Sequence, residues 1–94
     1  MGTGKPYIDT ELKSGCIIRE FGDDIDPIEL MWHRDKEDRL VEVIDCGEGW
    51  MFQFDNELPI KLCNNKSLSI KRHDWHRVIK GDGKLLVRIN KFTT

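Results

Sequence analysis

Apolar and polar residues alternate with a period of two along most of this chain, the spacing that sends successive side chains to opposite faces of a β-strand. Trp50, Phe52 and Phe54 fall on one side of such a run and Met51, Gln53 and Asp55 on the other; Leu85, Val87 and Ile89 repeat the pattern. In "RLVEVID" (39–45) both sets, Leu40/Glu42/Ile44 and Val41/Val43/Asp45, are largely apolar, which predicts a central strand covered on both sides. Further runs, "CIIREF" (16–21), "IELMWH" (28–33), "PIKLC" (59–63), "SLSIK" (67–71), "WHRVIK" (75–80) and the whole of "LLVRINKF" (85–92), bring the expectation to about eight short strands. The breaks are turn-like ("GDDIDP", "CGEG", "DNEL", "NNK", "GDG"), and Asp82-Gly83 is the strongest single hairpin signal among them. One stretch, "DPIELMWHRDKEDRL", also fits a helix capped by Asp26 with Pro27 at its first position.

Short strands at spacings of about ten residues predict an all-β sandwich or barrel, and a double-sheet jelly roll closes most of its edges. With 94 residues there is one core and one domain, residues 14–94, preceded by "MGTGKPYIDTELK" (1–13) as a flexible or swapped arm. So small a chain buries only about 60–65% of its unfolded surface, so help from a homodimer interface is expected. A net charge of −2, from 15 basic and 17 acidic residues interspersed, leaves no basic stripe for nucleic acid. The local cluster Lys71, Arg72, Arg77, Lys80 and Lys84 is interrupted by Asp74 and Asp82 and reads as a solvated face. Cys16, Cys46 and Cys63 form no close pair, which suggests reduced thiols and a cytoplasmic setting. No apolar run has the roughly 18–20 residues of a membrane span, so no membrane partner is expected.

Two segments resemble the motifs of a small single-domain cupin, over roughly residues 28–92. "MWHRDKEDRLVEVIDCGEGW" is similar to the family's first motif, a His-x-His strand with a following carboxylate. "LCNNKSLSIKRHDWHRV" is similar to the second, with Asn65, Lys71 and His73 at its Gly, Pro and Gly places and His76 at its histidine. In one register of the first motif His33 is the second histidine, Met31 stands where the first would be, and Glu37 falls at the carboxylate spacing. In the other, His33 is the first histidine, Asp35 takes the second place, and the carboxylate position falls on Arg39 or Leu40. "HRDKEDRLVEV" with the later "HRV" is also similar, over few residues, to the cupin domain of mannose-6-phosphate isomerase, which implies a sugar-phosphate isomerase-like alternative.

The resemblance implies a cupin-type double-stranded β-helix that brings His33 and His76 side by side, with Glu37 or Asp38 supplying an oxygen. Two imidazoles and one carboxylate suit a divalent Mn, Fe, Ni or Zn ion with positions left open for a small polar ligand. In strand phase His73 lies opposite His76 and reads as a surface turn residue. Gln53 and Asp55 would line the cavity, or the aromatic face that includes Trp50 would do so with the sheet turned over. Ser14, Ser67 and Ser69 lack a nucleophile-elbow context, and the start "GTGK" lacks a phosphate-loop frame. Two expectations compete: a metal-dependent binding protein or enzyme, and a metal-free, non-catalytic jelly roll.

Overall fold

The computed structural model describes residues 7–92. Eight strands form among them: β1 (Ile8–Glu11), β2 (Ile17–Phe21), β3 (Asp38–Cys46), β4 (Met51–Phe54), β5 (Ile60–Lys61), β6 (Ser67–Ile70), β7 (His76–Ile79) and β8 (Leu85–Phe92). They make two antiparallel sheets, a five-stranded one in the order β1-β2-β8-β3-β6 and a three-stranded one in the order β5-β4-β7. The all-β sandwich expected from the alternation is the fold observed.

The inner faces follow that alternation. From the large sheet come Phe21, Val41, Val43, Leu68, Ile70, Leu85, Val87 and Ile89; Trp50 and Phe52 enter from the small sheet, and all are buried. The expectation of a doubly covered β3 is only half met: its outward residues Leu40 and Glu42 are partly exposed and Ile44 is exposed, because no element among the described residues covers that face. A register shift between Val43 and Asp45 makes room for Ile44 as an extra residue, which re-phases the strand end.

Two expectations need correcting. Asp82-Gly83 does turn the chain, with Gly83 at φ 75°, but β7 and β8 do not pair with each other; β7 joins β4, while β8 lies between β2 and β3. The turn instead seats against the β3–β4 connection, through Asp82 N–H to Glu48 O (2.7 Å) and Gly47 N–H to Lys84 O (2.9 Å). A Cβ on Gly81 would collide with the Glu48 and Trp50 backbone, so close approach rather than positive φ explains the glycine. The run 28–33 is not a ladder strand: a single 3-10 turn, Pro27–Glu29, follows the Asp26 cap, and neither the long strand nor the long helix forms. Ile8–Glu11, within the segment expected to be an arm, pairs along β2, and residues 1–6 of that segment lie outside the described residues.

The three cysteines are free thiols, and burial, with the nearby Cys63, Asp45 and Glu48, pushes the Cys46 thiol further up.

Candidate metal centre

Backbone pairing at the open end of the sandwich brings the two histidines together. His33 and His76 exchange both main-chain hydrogen bonds, N–H to O at 2.9 Å in each direction, as an isolated antiparallel bridge at the start of β7. Residues opposed in this way project to the same face. Their rings accordingly meet edge to face with centroids 4.2 Å apart, and the neighbours Trp32 and Trp75 turn outward, one over Arg77 and the other under Arg34. His76 is only 2% exposed and stacks on Phe52, whereas His33 sits at the exposed rim.

The same pairing sets the carboxylate. Asp35 O accepts from His73 N–H (2.8 Å), and two residues beyond His33 the Asp35 side chain returns to the inner face. His73 itself, at φ 71°, is an exposed turn residue. One ligand atom from each of His33, Asp35 and His76 lies within 4.8 Å of the others. The spacing His33-x-Asp35 is that of the second register above.

The hydrogen bonds around the rings decide which atoms face inward. His76 Nδ1 lies 2.8 Å from Asp74 O and His33 Nδ1 lies 3.2 Å from Met31 O. A carbonyl only accepts, so each Nδ1 carries a proton, and in its neutral form each ring presents the Nε2 lone pair, the arrangement that metal-ligating imidazoles adopt. Asp35 Oδ2 stands 3.3 Å from His76 Nε2, yet it is fully buried and has no partner in hydrogen-bond geometry. An unpaired buried carboxylate oxygen beside an imidazole lone pair is costly unless a cation or a proton comes between them. On the other side of the carboxylate, Arg39 reaches Asp35 Oδ1 at 3.4 Å and Glu37 Oε2 at 2.8 Å.

These surroundings set the protonation states. Burial, aided by the His76 and Arg39 charges, pushes His33 below its usual 6.5, against the opposing pull of the Met31 carbonyl and Asp35. Burial raises Asp35, but the His76 contact and the Arg39 charge outweigh it and hold the carboxyl below its usual 3.8. The cluster therefore offers a carboxylate and a neutral His33 at neutral pH.

A cavity of about 660 Å³ opens between the sheets at this cluster, with His33, Asp35, Arg39 and His76 at one end and Val43, Phe52, Leu62, Val87 and other apolar side chains along its walls. Glu37 is committed to Arg39 and Asp38 Oδ1 accepts from Arg72 N–H; neither joins the two histidines, Glu37 because Arg39 holds it and Asp38 because it stands in the outward phase of β3. Gln53 and Asp55 are on the outer side of β4, where Gln53 Oε1 accepts from Arg77 at 2.8 Å and 3.0 Å, and Asp55 is exposed. Trp50 lies wholly inside the core, donating from Nε1 to Asp82 O and Gly83 O, and it is Phe52 from the aromatic face that borders the cavity. Sequence reasoning missed Arg39 and Lys91 as cavity residues. For Lys91 the signal was there, two positions beyond Ile89 in the inward phase of β8.

No protein-family model matches the sequence, and no curated protein matches it. Several solved structures match the fold. A cupin domain (bp2299) from Bordetella pertussis Tohama I superposes over 98% of this chain and 100% of its own, with a TM-score of 0.60 and 20% identity. FeII HppE matches over 98% of this chain and 58% of its own (TM-score 0.66, 13% identity), and protein NMB1881 from Neisseria meningitidis over 93% and 82% (TM-score 0.62, 14% identity). At these identities the likeness establishes the architecture, a cupin-type pair of antiparallel sheets.

Proposed function

We propose that this cupin-fold protein binds a divalent transition metal through His33, Asp35 and His76 and uses it to engage a small ligand in the adjoining cavity. What carries the reading is the buried Asp35 Oδ2, unpartnered in hydrogen-bond geometry, 3.3 Å from the Nε2 of a His76 ring whose Nδ1 is turned to Asp74 O, with His33 beside both. Two imidazole nitrogens and a carboxylate oxygen suit Fe(II), Mn(II), Ni(II) or Zn(II), and a bound ion supplies a Lewis acid with positions open toward the cavity. The protein's own part is to orient the donors: Asp74 O and Met31 O fix the rings, Arg39 holds the carboxylate, and Phe52 stacked on His76 keeps water from its inner face. The name of FeII HppE makes iron one ion to test first. A sugar phosphate is a narrower reading of the ligand that rests on the sequence resemblance alone.

Elemental analysis of tag-free protein incubated with each of the four ions tests the assignment. One equivalent is expected in the wild type and in Glu37→Gln, and a loss of metal in His33→Ala, Asp35→Ala and His76→Ala. Wild-type protein that stays metal-free would overturn the proposal in favour of a non-catalytic jelly roll, and metal retained in the Asp35 and His76 variants would overturn the ligand set.

A further inference from the structure

Both cations inside the sandwich are already neutralised by the fold. Arg19, buried on β2, is held by Asp9 at 2.8 and 3.0 Å and lies 3.7 Å over the Tyr7 ring. Arg39 is shared between Glu37 at 2.8 Å and Asp35 at 3.4 Å. The other charged residues of the lining, Glu11, Glu29 and Lys91, are exposed, and water solvates them. With Glu37 counted, the carboxylates around the cavity outnumber the cations by two, which is the charge of one divalent ion on His33, Asp35 and His76. Once that ion is bound, the cavity holds no net charge for a ligand to cancel.

The walls beyond the metal end are aliphatic and aromatic, from Val41, Val43, Phe52, Val78, Val87 and Ile89. Such walls reward apolar surface and penalise an ion that brings no partner. The volume of about 660 Å³ has room for a chain of several carbons. One polar atom at this end lacks a partner in hydrogen-bond geometry, the buried Asp35 Oδ2. A hydroxyl suits both states of the site: its oxygen can fill an open position on a bound ion, and its O–H can donate to Oδ2 when the ion is absent. Resting on the metal assignment and deepening it, we infer that the ligand of this cavity is an uncharged alcohol with an apolar body, its hydroxyl at the metal end and its hydrocarbon directed into the sandwich.

Isothermal titration of the full chain, metal-loaded and metal-free, with 1-propanol, 1-hexanol, hexanoate and hexylammonium tests this, metal content being measured on the same samples. In both forms 1-hexanol is expected to bind more tightly than 1-propanol by about sixtyfold, at about fourfold per added methylene. Hexanoate in both forms, and hexylammonium in the metal-loaded form, are expected to bind at least about tenfold more weakly than 1-hexanol. Asp9→Asn strips Arg19 of its carboxylate and is expected to strengthen hexanoate about tenfold, the worth of one charged hydrogen bond, with metal content unchanged. Hexanol no tighter than propanol would overturn the apolar body, and either ion binding as tightly as 1-hexanol would overturn the uncharged ligand. Hexanoate unaffected by Asp9→Asn would overturn the role of the Asp9 pairing in turning anions away. Absence of metal would count against the metal assignment alone, because the chain-length and alcohol-over-carboxylate preferences are read on the metal-free protein as well.

Discussion

Replacing Asp35 by asparagine separates a structural ion pair from a site built to receive a cation. In the metal-free protein with His76 neutral, the carboxylate sets an acceptor against the His76 Nε2 lone pair at 3.3 Å, while Arg39 at 3.4 Å partly compensates it. An amide of the same shape keeps an oxygen toward Arg39 and turns an N–H toward Nε2, adding a hydrogen bond of about 1 kcal/mol where none had good geometry. Weakening the Arg39 contact costs a similar amount, about 1–2 kcal/mol, and Arg39 keeps Glu37 at 2.8 Å. The two effects nearly cancel, so the metal-free variant should melt within about 4–8 °C of the wild type by circular dichroism, the shift that about 1 kcal/mol makes in a domain of this size. Metal should behave oppositely. At a concentration a hundred times its Kd it stabilises the wild type by about 2.7 kcal/mol, and it should leave Asp35→Asn unmoved. A metal-free variant destabilised by 3–5 kcal/mol, the usual cost of breaking a buried pair, would refute the reasoning and make Asp35 a structural partner of Arg39 and His76.

Two further outcomes follow from the geometry. His33 is held below 6.5 in the folded state, so the unfolded chain binds more protons: its contribution to stability is full above pH 6.5 and is lost as pH falls through the folded value. Urea unfolding of metal-free protein at pH 7.5 and 5.5 should show a smaller loss of stability in His33→Gln than in the wild type, and equal losses would contradict the placement of His33. Gly81→Ala drives a methyl group into the Glu48 carbonyl and the Trp50 amide, and should lower stability by more than about 2 kcal/mol in the same assay, whereas a melt unchanged from wild type would mean that the two turns do not meet as described.

The sequence by itself determined the strands and their inward faces. Trp50, Phe52, Leu85, Val87 and Ile89 declare their side of the sheet because covalent geometry alternates side chains whatever the strand pairs with. His76 was legible for the same reason, standing in phase with Val78 at the head of a strand. The partners of the strands were not. "GDG" reads as a hairpin in any local window, and only the seat that Gly47 and Glu48 offer the turn sends β7 and β8 to different sheets. The choice among Asp35, Glu37 and Asp38 was equally out of reach, since three carboxylates within four residues differ little in local signal. It was decided by the paired amides of His33 and His76 and by His73 N–H on Asp35 O, contacts between segments some forty residues apart that turn one carboxylate inward and leave the others to Arg39 and Arg72. Alternation belongs to each strand alone, whereas a site drawn from two strands exists only once long-range hydrogen bonds have set their register.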